Sequence, residues 1–192
     1  MSTPSIQPCQ RTILAVGMAP SQACGNSVKG RLRAAMIALV EQALVDSGVT
    51  ADLRDRYVDR GDWLIVLVHP TDRIPKTWLL TRLVPKMKAL LDERNAGQYY
   101  PLRLRLVIHP GDVTCDDLGW FGEDIDIATG LLTASALEQT TAPLVLVVSD
   151  QIHRSVIRHG YDGVDDWVFV PLPRVEVAGE ECKGWVHVPD EV

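Results

Sequence analysis

Carboxylates are the residues of this 192-residue chain whose types and spacing could do chemistry. Asp62 directly follows Gly61, and Glu123, Asp124 and Asp126 form an acidic group farther along. Carboxylate oxygens are ligands that hard divalent cations prefer, so either set could bind a metal ion. Carboxylates also satisfy backbone amides in turns and stabilise the first turn of a helix. We favour this structural explanation for the acidic group, and for Asp62 both explanations stay open.

Hydrophobic periodicity predicts the elements that would position these carboxylates. A mostly apolar run at residues 11–18 predicts a buried first strand, and a helical repeat of apolar residues predicts a long helix at 27–47. Residues 53–58 and 63–68 predict a hairpin whose turn contains Asp62. The second strand of this hairpin is apolar throughout, which indicates a central strand covered on both faces.

The next segments complete a recognisable order of elements. Residues 77–94 predict a second helix that is kinked or restarted at Pro85, and the Leu/Arg alternation at 102–109 predicts a half-exposed strand. The order β, α, β, β, α, β is typical of an α+β, ferredoxin-like core. The elements predicted after this core are a helix at 125–137, a strand at 144–148, a short helix opened by Ser149 and Asp150, and a strand pair near 167–170 and 184–188.

Length, composition and charge limit the remaining alternatives. A chain with 46% hydrophobic residues predicts one domain at 11–192, preceded by a flexible tail at 1–10. The formal net charge of -6 argues against nucleic acid or a membrane surface as a partner. Four scattered cysteines predict neither a zinc site nor a disulfide framework. No stretch has the features of a signal peptide or membrane span, so we expect a cytoplasmic protein.

The segment from residue 108 to residue 131 resembles a known family. It reads Ile-His-Pro-Gly-Asp-Val at 108–113 and Gly-Trp-Phe-Gly-Glu-Asp-Ile-Asp-Ile-Ala-Thr-Gly-Leu at 119–131. This layout resembles the strand, turn and helix start of class III adenylate and guanylate cyclases, with their patterns H-x-G-x-V and F-G-x-x-V-N-x-A-A-R-L. The resemblance covers roughly residues 11–188. It implies the cyclase fold, with C-terminal strands and helices added to the core, and a homodimer that completes each active site across its interface.

The resemblance also implies that most active-site side chains of the family are absent here. Asp126 stands at the position of the transition-state Asn, and Gly130 stands at that of the triphosphate-binding Arg one helical turn later. The family binds two divalent metals through two Asp residues. Asp62 matches the second of them, whereas Gly17 occupies the place of the first and offers no carboxylate.

Base selection in the family depends on a Lys and an Asp. Val58 stands near the position of the adenine-selecting Lys, and Gly119 stands near that of its Asp partner. The nucleotide-binding set implied by the resemblance is therefore Val58, Gly119, Phe121 and Asp126. His109, at the strand end, is expected to belong to the fold.

These differences predict little or no cyclisation, because the reaction needs an activated ribose oxygen and two metals that neutralise the triphosphate. Each missing group would cost on the order of 2 to 4 kcal/mol of transition-state stabilisation. We therefore expect a catalytically inactive regulatory, nucleotide-binding or dimerisation module in signalling, without a cofactor. Its expected partners are a second copy of the chain, another cyclase or a signalling protein, and a nucleotide.

Two other hypotheses stay open. One is an active class III cyclase that makes cyclic AMP or cyclic GMP with an altered metal site or in a heterodimer, and it would need Mg or Mn. The other is an interaction domain unrelated to nucleotides, in which side chains such as Trp63, Trp120 or Phe121 fill the former cleft.

Overall fold

The computed structural model describes residues 7–19, 24–173 and 175–189. Residues 1–6 of the tail predicted at 1–10 lie outside these ranges, and the first strand already begins at Cys9. Within the described ranges, every helix is too short or too polar to cross a membrane.

The first elements follow the predicted order. They are strand β1 (Cys9–Met18), helix α1 (Asn26–Asp46), strands β2 (Val58–Asp59) and β3 (Trp63–Val68), helix α2 (Lys76–Trp78), a π-helical turn (Leu79–Leu83), helix α3 (Val84–Asn95) and strand β4 (Leu104–Asp116). The strands pair antiparallel in the order β2-β3-β1-β4, with β3 inside the sheet as predicted. This order is that of a ferredoxin-like core, so the predicted α+β fold class is confirmed.

The second half of the chain extends the sheet and covers its other face. Its elements are β5 (Gly119–Phe121), α4 (Glu123–Leu132), β6 (Leu144–Ser149), α5 (Asp150–Ser155), β7 (Val170–Pro171), β8 (Val175–Val177), β9 (Glu180–Cys182) and β10 (Gly184–His187). Strand β6 pairs parallel to β4, and β10 and β7 follow it in the sheet. Helices α1 and α3 cover one face, and α4 packs on the other.

Several predicted boundaries differ from the observed ones. The first hairpin strand, expected at 53–58, is reduced to β2, because residues 51–53 form a 3-10 turn. The helix expected at 125–137 is α4, which ends at Leu132. The second long helix restarts near Pro85 as expected: α3 begins at Val84 after the π-helical turn, since the proline ring removes a backbone donor.

Strand β4 is covered on both faces, so the prediction of a half-exposed strand was wrong. Arg105 faces α4 and is only 6% exposed. Its Nη1 donates a hydrogen bond to the backbone oxygen of Leu132 at the end of α4 (3.2 Å), while Nη2 has no partner among the described residues. Burial lowers the pKa of Arg105 from its ordinary value. The alternation of Leu and Arg did not indicate that the end of a helix covers the arginine.

A clamp between β4 and α4 fixes the start of this helix. Nε2 of His109 donates to Oδ1 of Asp124 (2.8 Å), and the Asp112 N–H donates to Oδ2 of the same carboxylate (2.7 Å). Gly111 leaves room for this contact, because a Cβ there would lie 2.1 Å from Cγ of Asp124. Gly122 has a φ of 141°, a conformation that favours glycine, and turns the chain into α4. These residues therefore position α4 on the sheet.

Replacing Gly111 by Ala should lower the free energy of unfolding by about 1–3 kcal/mol, because the new methyl group overlaps Asp124 and the clamp must shift. Gly30→Ala is the matched control. Gly30 lies inside α1 with open space at the Cβ position, so this change should raise stability by about 0.5–1 kcal/mol. Urea denaturation measures both effects, and shifts of the same sign and size would contradict the clamp.

His109 should make the stability depend on pH. It is 3% exposed, its Nδ1 has no partner among the described residues, and burial lowers its pKa below the ordinary 6.5 although Asp124 acts in the opposite direction. The unfolded chain therefore takes up a proton at a higher pH than the folded chain. The contribution of His109 is complete above about pH 6.5 and falls as the pH drops below that value.

The test compares the wild type with His109→Gln, whose amide can still donate to Asp124. Urea denaturation at about pH 7.5 and about pH 5.5 should show a smaller loss of stability in the variant, because glutamine does not titrate. An unchanged pH dependence would assign the effect to other groups.

Candidate functional site

The structure brings the two predicted metal positions, Gly17 and Asp62, together at one end of the sheet. Gly17 pairs across the strands with Trp63, and the Met18 N–H donates to the backbone oxygen of Asp62 (3.0 Å). The space for a side chain at position 17 is already filled. A Cβ there would lie 3.1 Å from Cδ2 of Leu132 and 3.2 Å from Cβ of Trp63. A carboxylate at this position would therefore have to displace its neighbours.

A cation from helix α1 already neutralises the Asp62 carboxylate. Nζ of Lys29 lies 2.7 Å from Oδ2 of Asp62. One turn later, Nε of Arg33 donates to the backbone oxygen of Gly61 (2.9 Å), and the guanidinium pairs with Asp59. The two basic residues hold the hairpin turn against α1. Their i, i+4 spacing puts them on one helix face, and this is the signal in the sequence that could have identified them.

The residues at this end do not fit a two-metal centre. Two divalent cations need several oxygen ligands, and the arrangement implied by the family uses two carboxylates. Gly17 supplies none, and Asp62 is paired with Lys29. In the part of the chain that the structure describes, no three His, Cys, Asp or Glu side chains come together as a candidate metal site.

Asp126 and Gly130 both lie on α4, one helical turn apart. Asp126 is exposed, whereas Gly130 lies against the β8–β9 hairpin. A Cβ at Gly130 would lie 2.3 Å from Cγ2 of Val177, so any side chain there requires Val177 to move. The hairpin thus occupies the space next to the helix where the family's triphosphate-binding Arg would begin.

The other predicted nucleotide-binding residues lie away from Gly17. Val58 is partly buried on the edge strand β2. Gly119 and Phe121 begin and end β5, and Phe121 is 45% exposed. Gly119 pairs with the last residue of β4, whereas Gly17 pairs near the beginning of that strand. Within one chain, most of the length of β4 therefore separates these two glycines.

The three aromatic residues considered as occupants of the former cleft have different positions. Trp63 lies directly beside Gly17 and is partly buried. Trp120 packs against the core on the α4 side, with the Arg11 guanidinium 5.6 Å from its ring centre. Phe121 is exposed, as described above. Trp63 is thus the aromatic residue that helps to fill the space at position 17.

Comparison with known proteins gives a fold but no sequence family. No protein-family model matches the chain, and no curated protein matches it. An adenylate/guanylate cyclase/hydrolase from Silicibacter pomeroyi is similar with a TM-score of 0.69 and 20% sequence identity, over 97% of this chain and 100% of that one. The adenylyl cyclase CyaB from P. aeruginosa gives a TM-score of 0.64 at 14% identity, over 95% of each chain.

A third solved structure agrees. The catalytic core of a rhodopsin-guanylyl cyclase with converted specificity, in complex with ATPαS, gives a TM-score of 0.64 at 15% identity, over 96% of this chain and 99% of that one. At these identities the likeness concerns the fold. It agrees with the sequence pattern at residues 108–131, and both lead to one conclusion: the chain has the fold of class III adenylate and guanylate cyclase catalytic domains.

Proposed function

We propose that this chain is a catalytically inactive domain of the nucleotidyl cyclase fold that serves as a regulatory, dimerising module. The state of the two metal positions carries this proposal. Gly17 has no carboxylate and its side-chain space is filled, and Lys29 pairs with Asp62. Without two bound divalent cations, the ribose oxygen is not activated and the triphosphate charge is not neutralised.

The residues on α4 support the same proposal. Gly130 offers no guanidinium to a triphosphate, and Val177 stands where such a side chain would start. Asp126 adds a negative charge where the family has a neutral amide, which disfavours a polyanionic substrate. If each of these differences costs on the order of 2 to 4 kcal/mol, the pair reduces the rate by roughly three to six powers of ten.

The proposed assembly is a homodimer with the two-fold arrangement of the cyclases, and the proposed ligand is a purine nucleoside triphosphate. The rhodopsin-guanylyl cyclase core of the same fold is in complex with ATPαS, which supports a nucleotide as the first ligand to test. In this role the nucleotide would be sensed and not converted.

The second candidate function is an active cyclase with an altered metal site, and Asp62 is the residue that favours it. Its side chain is 53% exposed, so a cation could approach it if Lys29 moved aside. A heterodimer with a complete cyclase is a weaker form of this candidate. Each composite site takes its metal-binding half from one chain and its α4 half from the other, so one mixed site would contain Gly17 and the other Asp126 and Gly130.

Purified protein should form no cyclic AMP or cyclic GMP from ATP or GTP with either Mg or Mn. Calorimetric titration of the same samples measures nucleotide affinity, and binding without product supports the sensing role, whereas no binding supports a module that contacts proteins alone. Gly17→Asp should also give no product, because Asp126 and Gly130 are unchanged. Product from the wild type would overturn the proposal in favour of the active cyclase.

Mixing this chain with a complete class III cyclase should lower product formation wherever the two form mixed dimers. Because both composite sites of a mixed dimer are incomplete, equal amounts with random pairing should reduce the activity to about half. An inert protein at the same concentration is the control. Gel filtration establishes whether mixed dimers form, and an increase in product in their presence would support the active heterodimer instead.

A further inference from the structure

A groove runs along helix α3 on the face of the sheet opposite α4. On the helical side it is lined at four-residue intervals by Leu80, Val84, Lys88 and Asp92, which form one stripe of the helix surface. This stripe spans about 18 Å at about 1.5 Å per residue. The other wall is the segment 163–169, and the groove has a volume of about 690 Å³.

The floor of the groove is apolar, and one wall carries an exposed aromatic residue. Leu146, Val164 and Phe169 belong to the buried core on this face of the sheet. Trp167 lines the groove yet is 68% exposed, and Val170 close by is 58% exposed. A large aromatic side chain at the edge of an apolar groove is typical of a binding hot spot.

The two walls meet at one end of the groove and separate toward the other. Gly163 approaches the helix closely, because a Cβ there would lie 3.1 Å from Cγ2 of Thr81. Farther along the helix, Ala89 is small and exposed. The groove therefore has room for a bulky element alongside the later turns of α3.

The charges around the groove are mainly negative. Asp92 and Asp165 line it, and Asp162 and Asp166 flank the same wall segment. The cation in the lining, Lys88, is paired with Asp92 at 2.5 Å. A second copy of the chain, with its net charge of -6 and the same acidic rim, would be repelled, whereas a basic partner would be attracted.

We propose that this groove binds an amphipathic helix of about three turns from a basic partner protein. The apolar face of that helix packs on Leu80, Val84 and Trp167, and its Lys or Arg side chains face Asp165. The groove and the face that carries α4 lie on opposite sides of the sheet. The inference therefore does not depend on nucleotide binding, catalytic inactivity or dimerisation through the α4 side.

The test uses a synthetic helical peptide of about 14 residues made of Leu and Lys, with all Leu on one face. Calorimetric titration should show that the full chain binds it at least about tenfold more tightly than a peptide of the same composition in rearranged order. Ala89→Trp fills the groove from an exposed position and should weaken binding at least about tenfold. Asp165→Lys should weaken it about fivefold.

Asp117→Lys is the matched control for charge, because Asp117 is exposed on the turn between β4 and β5, on another part of the molecule. It should leave the affinity unchanged, and the urea midpoint of each variant shows whether it folds like the wild type. The proposal is overturned if no Leu/Lys peptide binds, if Ala89→Trp binds it as tightly as the wild type, or if a Leu/Glu peptide binds equally well. Self-association of the wild type that Ala89→Trp abolishes would also overturn it, because the occupant would then be a second copy.

Discussion

The packing of α4 on the sheet is the constraint on which the candidate site depends. The carboxylate of Asp124 fixes the start of this helix to β4 through His109 and the Asp112 N–H. At its other end, Leu132 lies over Gly17, and its backbone oxygen accepts from Arg105. With both ends fixed, the helix holds positions 126 and 130 in one orientation relative to the metal positions, whichever side chains they carry.

The same packing explains how the hairpin turn is stable without a metal ion. Two carboxylates close together repel each other unless a cation lies between them, and an unpaired charge that loses water is costly. Here position 17 contributes no charge and its space is filled by Leu132 and Trp63, while Lys29 balances Asp62. The absence of one carboxylate and the pairing of the other are therefore two parts of one consistent arrangement, in which the protein's own ammonium group supplies the positive charge.

Periodicity and motif layout were sufficient to predict the fold class, since the β, α, β, β, α, β order follows from local patterns and from the pattern at residues 108–131. Contacts between distant segments were harder to predict. Lys29 and Asp62 are far apart in the chain, and their pairing depends on how α1 crosses the hairpin. Strands β8 and β9 have three residues each, too few for a periodic signal, so the packing of Val177 against Gly130 could not be foreseen. Arg105 failed for a related reason, because alternation along a strand does not reveal what covers it.

The two faces of the sheet have different properties, and this difference bears on function. On the α4 side, the positions where a nucleotide would be processed are occupied by side chains of the chain itself, namely Leu132, Trp63 and Val177. On the α1 and α3 side, an apolar groove with an acidic rim keeps Trp167 exposed. Exposing such a residue costs favourable burial, about 25 cal/mol for each Å² of apolar surface, and a binding partner would recover it. A domain that has closed its catalytic face and kept an open groove on the other is better suited to recognising proteins than to converting nucleotides.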